Sequence, residues 1–189
     1  DAQGVRLRVE QAFGNCPQYI QLHALTPARQ PGPPPAPQRF TRLTPAHQAL
    51  ISGASMFHVA SHAPALAGPG RAGCDVSHRG GRPGFVRVDG DTLTIPDFAG
   101  NNHFNTLGNF LLYPRAGLVF ADFETGSLLA LTGTVDLLDT TDPEIAAFEG
   151  AQRGWQFTLH QGLWRPGILP FRATPGDISP GSLRTGSWG

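Results

Sequence analysis

Three arginines, Arg79, Arg82 and Arg87, and four asparagines, Asn101, Asn102, Asn105 and Asn109, fall between Asp75 and Asn109 together with six glycines. Planar guanidiniums grip phosphate oxygens in bidentate fashion. Gly100-Asn101-Asn102 stands where a helix is expected to open, and the free N–H groups, side-chain amides and dipole of a helix start all suit an anion. Taken singly, each residue reads more simply as a solvated arginine or an asparagine cap. Gathered along one segment, they favour an anionic ligand.

The elements that must position these groups follow from periodicity. Phe85, Val86 and Val88, then Leu93 and Ile95, are two short apolar runs about Asp89-Gly90-Asp91, the pattern of a β-hairpin. Phe104, Leu107, Phe110 and Leu111 form the buried stripe of a helix over 101–114 that ends at Pro114. Upstream, 5–9 alternates like a half-exposed strand, and 11–25 reads as a short helical or turn segment broken at Pro17. The Pro-rich stretch 26–38 is expected to be a semi-rigid linker. Thr44-Pro45 opens a helix through about Ser52, Met56–Ser61 reads as a strand, and 63–73 as a mobile loop. Further strands are expected at Leu118–Asp122 and Leu128–Leu138, joined by a turn at Glu124-Thr125-Gly126. Asp142-Pro143-Glu144 caps a short helix to Phe148, and Trp155–His160 is the last strand, with 162–170 curling after it. The pattern predicts a mainly β chain with a few helices: a Greek-key-like antiparallel barrel over 39–175, preceded by a segment 1–25 and followed by a tail 176–189. No G-x-G-x-x-G fingerprint supports a Rossmann domain.

Composition narrows the function. A chain of 189 residues, 40% hydrophobic and of net charge +0, supports one ordinary globular core and lacks the basic surplus that nucleic acid asks for. All 14 basic residues are arginine, which removes a lysine nucleophile, a Schiff base and a P-loop. Cys16 and Cys74 stand far apart with no zinc spacing, and Cys16 reads as a buried structural thiol. His58 and His62 lie on a strand-and-loop segment and do not share a helix face, so no metal site is expected. Asp97 reads as a strand-end carboxylate, and no nucleophile-elbow triad is present. Without a membrane span or signal pattern, a cytoplasmic location is the expectation.

The order of these segments resembles the FMN-binding split barrels of the pyridoxamine 5′-phosphate oxidase type. Arg82-Pro-Gly-Phe-Val-Arg87 looks like their Arg-x-x-x-x-Lys strand, Gly100-Asn101-Asn102 like their phosphate turn with Asn102 in place of a basic residue, and the run from Tyr113-Pro114-Arg115 to Phe120 like the strand after the helix. A divergent bacterial branch, often joined to a flavin and iron–sulfur reductase, is closer still. Its motifs are similar to Gly14-Asn15-Cys16-Pro17-Gln18-Tyr19-Ile20-Gln21, to the stretch Ser77 to Val86 and to the stretch Gly100 to Asn109, and the likeness runs from about Val5 to Trp188.

The resemblance implies an FMN-binding split β-barrel whose cofactor is held by Ser77, Arg79, Arg82, Val86, Arg87, Asp97, Asn101, Asn102 and Asn105. Backbone N–H groups near Val86 and Asp97 would face the ring edge. The side chains of Arg79, Arg87, Asn101, Asn102 and Asn105 would hold the phosphate and ribityl chain, so that an Arg87→Ala variant would lose flavin. His78 and His103 would lie within reach of the ring. A homodimer with flavin at its interface is implied, with Trp155 or Trp164 as interface aromatics, and a reductase partner or fused reductase domain as electron source. The segment before the linker is then expected to pack on another subunit or on sequence outside these residues. Two functions follow: an FMN-dependent oxidoreductase of unknown substrate, or a non-catalytic module binding flavin, haem or another anionic ligand, including a degenerate barrel serving interactions. No catalytic acid or base is implied.

Overall fold

The structure is a computed structural model that describes residues 4, 6–9, 12, 14, 16–28, 32–64, 73–100 and 102–188. In chain order its elements are β1 (His23–Pro27), β2 (Gln38–Phe40), α1 (Pro45–Gly53), β3 (Met56–Ala63), β4 (Gly73–Gly80), β5 (Arg87–Asp89), β6 (Thr92–Phe98), α2 (Asn105–Leu112), β7 (Arg115–Asp122), β8 (Ser127–Leu138), α3 (Pro143–Ala147), β9 (Ala151–Arg165) and β10 (Phe171–Pro175). Eight strands form one antiparallel sheet in the order β4-β3-β7-β8-β9-β6-β5, with β2 on β9; β1 and β10 pair separately. The architecture is therefore the expected mainly β one, with three α-helices and a 3-10 turn at Ser182–Arg184 among the described residues.

Alternation decides which side chains enter the core. Along β3, Phe57, Val59, Ser61 and Ala63 point inward, and β7 and β8 follow with Leu118, Phe120, Leu129, Leu131 and Val135, the period of 2 of a half-buried strand. Strand β6 is buried along nearly its whole length, from Leu93 to Asp97. Pro96 is tolerated inside it because β5 pairs only with Thr92–Thr94, so beyond Thr94 β6 has β9 alone as its neighbour. Thr44 caps α1 by accepting from the His47 N–H, and Asp142 caps α3 by accepting from Glu144 and Ile145, as Thr-Pro and Asp-Pro starts predict.

Several expectations are corrected. No strand occurs among the described residues of 5–9, and 11–25 contains a turn at Gln18-Tyr19 and then β1. β1 pairs with β10 over His23↔Pro175 to Pro27↔Phe171, and the Gln21 amide donates to the carbonyls of Gly176 and Asp177. This chain thus supplies the packing partner expected from another subunit or from absent sequence. Trp155 is 0% exposed at the centre of the core, so burial removes it from any interface. The helix expected from Asn101 begins at Asn105, because Asn102 (φ 59°) and Phe104 (φ 55°) are left-handed and interrupt helical backbone. Most of the loop expected at 63–73 lies outside the described residues; its end, from Gly73, is β4.

The C-terminal residues close over the loop that precedes β5. The Trp188 indole N–H donates to the Phe85 carbonyl at 2.9 Å, and its ring meets that of Phe148 in a tilted contact at 4.5 Å. Arg82 donates from its backbone to Thr185 Oγ1 and from its guanidinium to the Leu183 carbonyl.

Candidate functional site

Strands β4 and β6 lie far apart in sheet order, yet an Arg79–Asp97 ion pair joins them. The sheet therefore curls until its ends face each other, and the seam between β4 and β6 is bridged by side chains where no backbone ladder closes it. A polar chamber of 90 Å³ opens along that seam, lined by Ser77 and Arg79 of β4, Asp97 and Phe98 of β6, Gln152 and Arg153 of β9, and Gly100 to Leu107 apart from Asn101. Its floor is tied down from beneath: buried Asp75 accepts from Ser77 Oγ (2.8 Å) and from Thr106 Oγ1 (2.7 Å), which fixes the first turn of α2 to β4.

Two features mark this chamber as more than a packing defect. Phe104 is a bulky residue in the left-handed region, a conformation that costs roughly 1–3 kcal/mol and clusters at functional sites. Arg79 Nε is buried and has no hydrogen-bond partner, an arrangement that costs about 1–3 kcal/mol for a neutral group and more for a charged one. The N-terminus of α2 adds backbone donors without a side-chain cap. Arg79 and the start of α2 thus share the lining of one chamber.

A second chamber of 110 Å³ shares Ser77, Arg79, Phe98 and Gly100 with the first and continues past Cys16, Tyr19, His78, Gly80, Phe85 and Pro96. The N-terminal segment forms its wall: the Tyr19 hydroxyl donates to the Ala99 carbonyl at 2.8 Å, and its ring meets Phe98 at 5.5 Å. Gly80 permits this approach, since a Cβ there would lie 2.4 Å from the Tyr19 carbonyl oxygen. Neither chamber alone reaches the ~300 Å³ of a typical small-molecule site. They adjoin at Ser77, Arg79, Phe98 and Gly100, and the region they define, called the cleft below, is polar on one side and aromatic on the other.

His78 faces the aromatic end with Nε2 buried and unpartnered. Burial chiefly, then the neighbouring His58 and Arg79, push it down to about 4. Below its ordinary value of 6.5 the unfolded chain takes up a proton that the folded chain refuses, so stability falls as pH drops from 6.5 towards 4. The expected loss is up to about 1.4 kcal/mol per pH unit within that window. Denaturant unfolding at pH 7 and pH 5 checks it; a His78→Gln variant should show a shallower pH dependence, and an unchanged one would refute this origin.

Of the residues singled out in the sequence, the cleft gathers Ser77, Arg79, Asp97, Asn102 and Asn105, with His78 and His103 on its walls. Asn101 lies outside the described residues. Val86 is buried in the core. Arg82 and Arg87 are not brought to the cleft: Arg82 is engaged by the C-terminal residues, and Arg87 makes a bidentate pair with Glu144 (2.7 and 2.5 Å) beneath the Trp188 ring. Cys16, expected to be buried, is half-buried and lines the cleft, and Cys74 is exposed. Sequence reasoning missed Gln152 and Arg153, whose placement depends on an irregular β6–β9 pairing that no local pattern announces.

No family model matches the sequence, and no curated protein does. Solved structures do. A proposed pyridoxamine 5′-phosphate oxidase from Lactobacillus delbrueckii superposes with TM-score 0.50 at 14% identity, over 65% of this chain and 94% of that one. The chain has the pyridoxamine 5′-phosphate oxidase-like fold. Two further members of the structural group match at lower TM-score: a variant of group A Streptococcus HupZ (0.48, 13% identity, 64% of this chain and 98% of that one) and a Clostridium acetobutylicum protein of the pyridoxinephosphate oxidase family related to general stress protein 26 (0.44, 14% identity, 67% and 89%). At these identities the oxidase-like fold is what is shared, and function must be argued from the cleft.

Proposed function

We propose that this split barrel is an FMN-binding flavoprotein of the oxidase-like superfamily, and that it works as an oxidoreductase. The observation that carries the reading is Arg79, whose Nε is buried and unpartnered, lining a chamber together with Asn102, Asn105 and the uncapped start of α2. These donors fit a phosphate, and the aromatic chamber that continues from them, with Tyr19, Phe85 and Phe98, fits a flat ring. When bound, flavin would supply the redox chemistry. The protein's own part is to hold the phosphate with Arg79, Asn102 and Asn105, to orient the ring against Tyr19 and Phe98, and to keep His78 neutral at its edge. Cys16 would stand on the same wall.

The motifs shared with the divergent branch support a reductase partner or fused reductase domain as electron source, working in the cytoplasm. A second copy is the partner proposed for the outer face of β4, β3 and β7, where Val76 and Val119 are 59% and 37% exposed. An absorption spectrum of the purified protein before and after adding FMN, followed by release of the chromophore on denaturation, tests the cofactor. Flavin bands, or quenching of added FMN, support it; a colourless protein that leaves FMN fluorescence unchanged would favour a non-catalytic interaction module.

A further inference from the structure

The turn before α2 carries Asn102 where the resembling family has a basic residue, and Arg87, the expected second cation, is committed to Glu144. We propose that Arg153, on β9, is the cation that replaces them, and that it sets the preference of the cleft for phosphorylated over unphosphorylated flavin. This inference rests on the flavin reading above.

The β6–β9 ladder supplies the position. Asp97 pairs with Arg153 and Phe98 with Ala151, so Gln152 is an extra residue in β9. Bulges of this kind re-aim side chains at sheet margins and next to active sites, and here the bulge turns both Gln152 and Arg153 into the polar chamber.

The guanidinium is held on three sides. Its Nε lies 3.4 Å from Asp97 Oδ2, its Nη2 donates to Gln152 Oε1 at 3.0 Å, and its flat face lies 4.7 Å from the centre of the Phe104 ring. Nη1 is left over, in a chamber whose other cation is Arg79. Among the described lining residues Arg79 and Arg153 stand against the single carboxylate of Asp97, with the buried Asp75 beneath the floor. An arginine fixed in this way is pre-organised for a phosphate oxygen, since little rotamer freedom remains to be lost.

The same contact accounts for the strained turn. Phe104 is 45% exposed in a left-handed backbone, which hydrophobic burial does not explain. As a platform beneath Arg153 it gains a cation–π contact and steers the fork towards α2. Glycine at this position would relieve the backbone and remove the platform, so the two roles separate by mutation.

The test is paired titration of FMN and riboflavin, by quenching of flavin fluorescence, with wild type, Arg153→Gln, Arg153→Lys and Phe104→Gly. Wild type is expected to bind FMN more than tenfold tighter than riboflavin. Arg153→Gln should lose roughly tenfold to a hundredfold in FMN affinity and leave riboflavin affinity unchanged. Lysine should restore part of the ratio, because it returns the charge without the fork. Phe104→Gly should lower the ratio while the protein stays as stable or gains stability, an outcome that a purely structural role for Phe104 would reverse. A ratio unchanged in Arg153→Gln, or near one in wild type that still binds FMN, overturns the role of Arg153 and leaves the flavin reading standing. Wild type that quenches neither flavin overturns both. Arg153 is partly exposed, with 31% of its side chain accessible, and far-ultraviolet circular dichroism of each variant confirms that it folds.

Discussion

Replacing Phe57 by alanine is expected to lower the free energy of unfolding by about 3–5 kcal/mol, a large share of the ~5–15 kcal/mol that holds a domain of this size together. Phe57 is 1% exposed on β3, and its ring meets three other aromatic rings: Phe120 at 4.9 Å, Phe85 at 6.0 Å and Trp155 at 6.2 Å. These neighbours come from β7, β9 and the loop before β5, so the cavity left by truncation would be walled by separate elements and could not close by moving one of them. The reading is the urea midpoint followed by tryptophan fluorescence, with an unchanged slope showing that the unfolded state is not altered. Phe57→Leu, which keeps most of the volume, should lose markedly less. A loss below about 1 kcal/mol for the alanine variant would mean that the aromatic cluster is not the centre of the core.

Most of that cluster was legible in the sequence because Phe57, Phe120 and Trp155 lie on strands of period 2, whereas Phe85, read as part of a strand, lies in the loop before β5. Met56–Ser61, Leu118–Asp122, Leu128–Leu138 and Trp155–His160 each fall inside an observed strand, and the two Asx-Pro or Thr-Pro starts mark observed helices. The places where local reading fell short are those fixed by distant partners. β1 is a strand because β10, almost 150 residues away in sequence, supplies its ladder. β4 was hidden by its composition: Gly73 to Gly80 holds Ser77, His78 and Arg79, which look like a loop and become a strand because β3 pairs with all of it. The start of α2 was misplaced because Phe104 fits the apolar stripe by spacing, while its left-handed backbone puts it outside the helix. At the cleft, the sequence supplied the β4, β6 and turn residues, which are local to one segment. It had no means of supplying Gln152 and Arg153, which arrive through a bulge, or of separating Arg79 from Arg87, since only the folded chain shows which arginine already has an acid.

That separation sets up the second large effect. Arg79→Ala is expected to weaken FMN binding by roughly a hundredfold, whereas Arg87→Ala should leave it within about twofold. Loss of Arg79 removes the buried Nε–H and also strips Asp97, whose side chain is 7% exposed, of the closer of its two cations. The carboxylate would then confront the phosphate with less compensation, so repulsion adds to the lost hydrogen bond. Arg87 is fixed elsewhere: Glu144 holds it in a bidentate pair that raises its already high pKa, and Trp188 covers it at 4.5 Å. Its removal should release the C-terminal residues from the barrel, read as faster proteolysis near Trp188, and reduce stability a little, because both members of the pair are substantially solvated. Fluorescence titration of the two variants side by side with wild type decides the matter. If Arg87→Ala abolished flavin binding and Arg79→Ala spared it, the phosphate would have to sit under the C-terminal residues, with Trp188 displaced and Glu144 exchanged for the ligand. The cleft between β4 and β6 would then lose its claim to the cofactor.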